Sequence, residues 1–205
     1  GEVEHQDRAN FYGMITCIDE NLGILRQRLR DWGLEENTIL IFMTDHQRAD
    51  TVLPEHPTIA PNLARFAQQG VTFTDTFCPS PHCCPARATF ASGLYPSQHG
   101  VWNNICNRQA LSRGLNDGVR LFSEDLAEAG YGLHYSGKWH VSVLESPADR
   151  GWTEHYVSGA AGTHHGVRWD RYQELAALEA RIPVLRIEVE PEGLQGASLT
   201  IDGSS

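Results

Sequence analysis

No apolar run in this sequence is long enough to cross a bilayer; the longest candidate, Ile39 to Met43, is strand-sized. Positive charge is also scarce, with 16 Lys and Arg against 26 Asp and Glu and a formal net charge of −10. Nucleic acid and anionic membrane surfaces both require clustered Lys and Arg, so neither is an expected partner. A local basic pocket for a small anion remains compatible with this balance. There is no initiator Met and no signal-like start, which reads as the opening of a fragment. The cysteines, Cys17, Cys78, Cys83, Cys84 and Cys106, are odd in number and irregular in spacing, a poor disulfide framework. A reducing, cytoplasmic compartment is therefore expected ahead of a periplasmic or secreted one. Internal repeats and low-complexity segments are missing as well.

What is present suits a globular domain. Hydrophobic residues make up 40% of the 205 positions and charged residues 20%, enough for one domain with a real core. Phe11, Met14, Ile15, Ile18, Leu22, Leu25, Leu29 and Trp32 recur at steps of three and four, which predicts one long helix from about Asp7 to Trp32, stopped by Gly33. "NTILIFMTD" predicts a strand buried on both faces, and "VTFTDTF" a second strand. "TIAPNLARFAQQG" predicts a helix with Thr58 near its start and Gly70 at its end. "PARATFASGL" predicts a helix entered through Pro85, "SEDLAEAG" one capped by Ser123, and "YGLHYSG" a third strand. This alternation implies an α/β fold, a mostly parallel sheet flanked by helices. Ligands of such sheets collect beyond the carboxyl ends of the strands. Asp45, the loop bearing Cys83, and Lys138 with His140 all fall on that edge. The tail, "LRIEVEPEGLQGASLTIDGSS", alternates apolar and polar residues and predicts one or two solvent-facing strands.

"PHCCPARATFASGLYP" carries the most chemistry. Adjacent thiols at the mouth of a helix have three readings. Cys78, His82, Cys83 and Cys84 could hold zinc, although the second half of a C-x-x-C pair is missing. The thiols could be inert core residues. The third reading rests on Cys83, Pro85 and Arg87 in the pattern C-x-P-x-R, with Gly93 ten residues after the cysteine. This pattern resembles the signature of the sulfatase family, with Ser92 in place of the usual threonine. The resemblance implies that a formylglycine-generating enzyme oxidises Cys83 to formylglycine, whose hydrate attacks the sulfur of a small-molecule sulfate ester.

"FMTDHQRAD" is similar to the family's N-terminal segment of metal-binding acids, with His46 where a second aspartate is common. The resemblance makes Asp45, His46 and the converted Cys83 ligands of a divalent cation. Calcium is expected first and magnesium or manganese next, on ligand hardness. "GYGLHYSGKWH" resembles the Gly-Lys-Trp-His segment, which makes Lys138 and His140 contacts of the sulfate and the diol and puts Arg87 beside the nucleophile. Strand alternation would aim Lys138 and His140 at one face. His164 or His165 could protonate the leaving alcohol. His99, in "YPSQHG", reads as structural.

Residues 38 to about 170 follow the family's order, on an alkaline phosphatase-like fold that is incomplete here. Residues 1–37 resemble a late sulfatase helix that runs straight into the early motif, residues 38–180 the N-terminal α/β core, and residues 181–205 a β-rich tail of unclear origin. A rearranged or partial member is expected, with one "TDH" serving where the family uses two separate motifs. Sulfuric ester hydrolysis, weak in this chain, is the leading expectation. A phosphonate or phosphate monoester hydrolase and a non-catalytic fragment are the alternatives.

Overall fold

A computed structural model describes residues 2–106, 109–158, 186–187 and 199–200. The chain forms two compact units, residues 1–77 and 78–205.

The first unit is built on α1 (Glu2–Asp31) and α2 (Pro61–Gln69). The expected stripe on α1 is covered only in part. Ile15 and Leu22 are buried, whereas Met14, Leu25 and Trp32 stay exposed. The helix stops at Gly33 as expected. Its φ of +68° is one that glycine adopts without a Cβ penalty, and Leu34 N–H reaches back to the Leu29 carbonyl at 2.8 Å. Thr58 does not cap α2. The N-cap is Ala60, which has no side-chain acceptor, and Pro61 occupies the first turn. The acceptor comes instead from the other helix: Asp19, fully buried, accepts Asn62 N–H at 3.0 Å and Leu63 N–H at 2.6 Å. Asn62 also donates from Nδ2 to the Asp19 carboxylate at 2.9 Å. This close approach explains Gly23, where an added Cβ would lie 2.6 Å from the Asn62 side chain.

Neither strand expected in this unit forms. Residues 39–43 and 71–77 pair with no ladder among the described residues, and Ile39, Phe42, Val71, Phe73 and Phe77 are all exposed. The reason is physical: a run of β-branched and aromatic residues becomes a strand only when neighbours take up its backbone groups and its two apolar faces.

The second unit holds α3 (Cys83–Ser92), α4 (Pro96–His99), α5 (Phe122–Glu128), β1 (His134–Lys138) and β2 (Thr153–Ser158). β1 and β2 pair in parallel, as the alternating pattern implied. Their register shifts after Tyr135, so that His155 is an extra residue between Glu154, opposite Tyr135, and Tyr156, opposite Ser136. β3 (Arg186–Ile187) and β4 (Leu199–Thr200) form a separate antiparallel pair in the tail. The core joins Cys84 and Ala88 of α3 to Val101, Ile105, Val119, Leu121, Trp139 and Val141. α3 begins two residues ahead of Pro85, which puts Cys83 inside its first turn. Ser123 does not cap α5. Leu121 is the N-cap, its N–H donates to Glu124 Oε2 at 2.8 Å, and Ser123 is buried in the first turn. The link from β1 to β2 is pinned by Arg150, which donates to the Val119 carbonyl and to the carboxylates of Glu124 and Glu145. No helix among the described residues is long and apolar enough to cross a membrane.

Candidate active site

The two adjacent cysteines face different surroundings. α3 turns Cys84 wholly inward, where its sulfur accepts Ile105 N–H at 3.4 Å and its own N–H donates to Asn104 Oδ1 at 3.3 Å. Burial pushes this thiol up to about 11. Cys83, one residue earlier on the same turn, is only partly buried. None of the five cysteines forms a disulfide. The zinc reading fails on this geometry. The Cys84 sulfur is committed to the core, the Cys78 thiol donates to the Ser80 carbonyl at 3.1 Å, and these residues with His82 and Cys83 do not converge on one point.

Arg87 lies one turn further along α3 and crosses to the end of β1. Its Nη1 donates to the Lys138 carbonyl at 2.7 Å, and the Tyr135 hydroxyl donates to the same oxygen at 2.7 Å. Burial pushes the Tyr135 phenol up, while the neighbouring Arg87 pulls it partly back. The Tyr135 ring meets Trp139 and Trp152 edge-on, with centroids 5.6 and 5.5 Å away. The Arg87 guanidinium thus ties the helix that starts at Cys83 to the strand that ends at Lys138, on a carbonyl that a phenol of the same strand also engages. Sequence reasoning missed Tyr135; its place three residues before Lys138 in "HYSGKWH" was the available signal.

His140 lies outside β1, two residues past its end, with φ of +54°, a left-handed conformation that a non-glycine residue seldom takes. Strand alternation therefore does not relate it to Lys138. Its Nε2 lies 3.2 Å from the exposed Cys106 Sγ. His99 is structural, as expected. Its Nδ1 accepts Val101 N–H at 3.1 Å, its Nε2 lies 3.0 Å from Thr89 Oγ1, and burial pushes its pKa down.

Asp45 and His46 belong to the first unit, and His46 also has a left-handed backbone, with φ of +57°. Nearby, Arg48 holds Asp50 through two contacts, Nε to Oδ1 at 3.1 Å and Nη2 to Oδ2 at 2.5 Å. His164 and His165 lie outside the described residues.

The sequence profile of the sulfatase family matches residues 47–173, more than half of the chain, and the chain belongs to that family. It is 30% identical to human N-acetylgalactosamine-6-sulfatase over 139 residues, 63% of this chain and 26% of that protein. It is 32% identical to choline-sulfatase of Rhizobium meliloti over 134 residues, 58% of this chain and 25% of that protein. It is 34% identical to bovine arylsulfatase A over 108 residues, 52% of this chain and 21% of that protein. The chain therefore spans about a quarter of the length of these relatives. The family match starts at residue 47, just beyond Asp45 and His46.

Proposed function

We propose that this chain is a sulfuric ester hydrolase whose nucleophile derives from Cys83. The observation that carries the reading is the pairing of a partly open Cys83 with a buried Cys84 on the first turn of α3, while Arg87 ties that turn to Lys138. In the folded chain only one of the two positions is then open to a substrate. Converted to formylglycine, Cys83 would supply a hydrate oxygen to attack sulfur and a second hydroxyl to release the sulfate afterwards.

The remaining roles belong to side chains of the second unit. The first-turn N–H groups of α3 favour a negative charge beside Cys83. Arg87 adds a fixed positive charge and holds the end of β1 in place. Lys138 is the ammonium that would meet a sulfate oxygen, and His140 the imidazole that would orient the attacking hydroxyl. His164 is the proposed acid for the leaving alcohol.

A cation of this family would be held by Asp45, with His46 beside it. Bound there it would lower the pKa of the nucleophile and neutralise the sulfate. The donor chemistry fits only in part. Calcium takes about six to eight oxygen ligands, and this pair offers one carboxylate and one imidazole. So small a ligand set would hold the ion weakly, and activity is expected to be weak.

The test begins with intact mass after co-expression with a formylglycine-generating enzyme. Replacing CH₂–SH by CHO lowers the mass by about 18 Da, and an unmodified Cys83 in a competent host overturns the nucleophile assignment. Turnover of an aryl sulfate by the converted chain, with calcium or magnesium, then measures the activity. Slow turnover that a Cys83→Ala variant abolishes is the expected result, and faster release from a phosphate monoester would move the assignment to a phosphate or phosphonate hydrolase. Conversion of Cys83 with no turnover on either ester would leave a non-catalytic member of the family.

A further inference from the structure

Away from the candidate active site, the starts of β1 and β2 bring two imidazoles together. His134 Nδ1 and His155 Nε2 lie 2.9 Å apart, with ring planes 20° from parallel. The backbone builds this contact. The register shift after Tyr135 makes His155 the extra residue of β2, and such a bulge re-aims the side chain it inserts. His134 is exposed and His155 half-buried, so one ring is anchored while solvent reaches the other.

We propose that His134 and His155 form a two-imidazole chelate for a divalent transition-metal ion, best suited to Cu²⁺, that clamps β1 to β2. The 2.9 Å separation is the hydrogen bond between the two rings, and it already brings both nitrogens within the span of adjacent ligands on one ion. Imidazole suits Cu²⁺, Ni²⁺ and Zn²⁺ alike, and on such nitrogen ligands the affinity of divalent ions peaks at Cu²⁺. Without metal, one ring nitrogen donates its proton to the other ring. On binding, that ring carries its proton on its second nitrogen, so both facing lone pairs go to the metal and neither ring changes charge. The exposed His134 ring turns to bring its lone pair onto the ion, and water fills the remaining positions. β1 ends at Lys138, and the Ser158 carbonyl at the end of β2 accepts Trp139 N–H at 2.7 Å. The clamp therefore fixes the near ends of two strands whose far ends border the candidate active site.

The test uses the full chain with Cys78 and Cys106 alkylated, so that exposed thiols neither reduce nor bind the ion. The tightest equivalent of added Cu²⁺ should show two imidazole nitrogens by electron paramagnetic resonance and should raise the thermal midpoint of unfolding. His134→Gln and His155→Gln should each remove one nitrogen from the spectrum and weaken the tightest equivalent by at least about tenfold, with unchanged far-ultraviolet circular dichroism. Variants that keep the native affinity overturn the proposal, as does a spectrum of the unaltered chain lacking two imidazoles. Zn²⁺ binding as tightly as Cu²⁺ through this pair overturns the choice of ion.

Discussion

Residue by residue, the candidate site is unusually addressable. Lys138 is the only lysine among the 205 positions, so an amine-directed reagent has one side-chain target besides the terminal amine. If Lys138 contacts the substrate's sulfate, acetylating it should abolish ester turnover, and inorganic sulfate should slow the acetylation. Peptide mass mapping with a turnover assay reads both; full activity after complete acetylation would remove Lys138 from the site. The thiols offer a second test. Cys78 and Cys106 are exposed, Cys83 is partly buried, and Cys84 is buried with its thiol pushed up to about 11. Iodoacetamide at pH 8 should label Cys78 and Cys106 first, Cys83 later, and Cys84 only after denaturation. Early labelling of Cys84 would overturn the division of labour between the adjacent cysteines. The sequence made Cys83, Arg87 and Lys138 legible because they sit in a spaced pattern. It concealed the different burial of Cys83 and Cys84, which is set by how α3 rolls onto Ile105, and it concealed the bond from Arg87 to a backbone carbonyl. Carbonyls carry no letter.

At the next scale, single residues set how elements begin and end. Helices were legible wherever their period and stops are local: α1 stops at Gly33, α2 at Gly70 and α3 at Gly93. Their starts were less so, because a cap can come from far along the chain. Asp19 acts on α2 across 43 positions, which no window around residue 60 contains. Asp19→Ala removes a buried acceptor from two amides and should destabilise the first unit by about 1–3 kcal/mol. Asp19→Asn keeps one oxygen acceptor and should cost less. Denaturant titration followed by circular dichroism orders the three proteins, and equal midpoints would show that the contact contributes nothing.

His99 provides the corresponding test in the second unit. Burial holds its pKa below the ordinary 6.5, so the folded state disfavours the protonated ring. The unfolded chain then binds the proton more readily. The stability His99 contributes is complete above about pH 6.5 and is lost as pH falls through that value toward the folded-state pKa. Denaturant midpoints between pH 7 and pH 5 should fall less steeply for His99→Gln than for the parent, and parallel curves would exclude His99 as a source of the acid sensitivity.

For the whole molecule, the mismatch between pattern and ladder matters most. Residues 39–43 and 71–77 have the composition of buried strands and lie exposed, with Val71 at 79%, Phe73 at 80% and Phe77 at 88% accessibility. A sequence period records what a segment is suited to, while a ladder also needs partners, and that is why two of three expected strands were misread. Exposed β-branched and aromatic segments without a covering layer favour association. The net charge of −10 opposes it through repulsion between copies, and salt screens that repulsion over roughly 10 Å at 0.1 M. The chain should therefore remain dispersed at low ionic strength and associate as salt rises, reversing the behaviour expected of contacts built on ion pairs. Phe73→Glu with Phe77→Glu should suppress the salt-induced association by adding negative charge and removing apolar surface together. Sedimentation velocity across a salt series measures this; association that weakens with salt, or that the double substitution leaves unchanged, would show that these segments do not drive it.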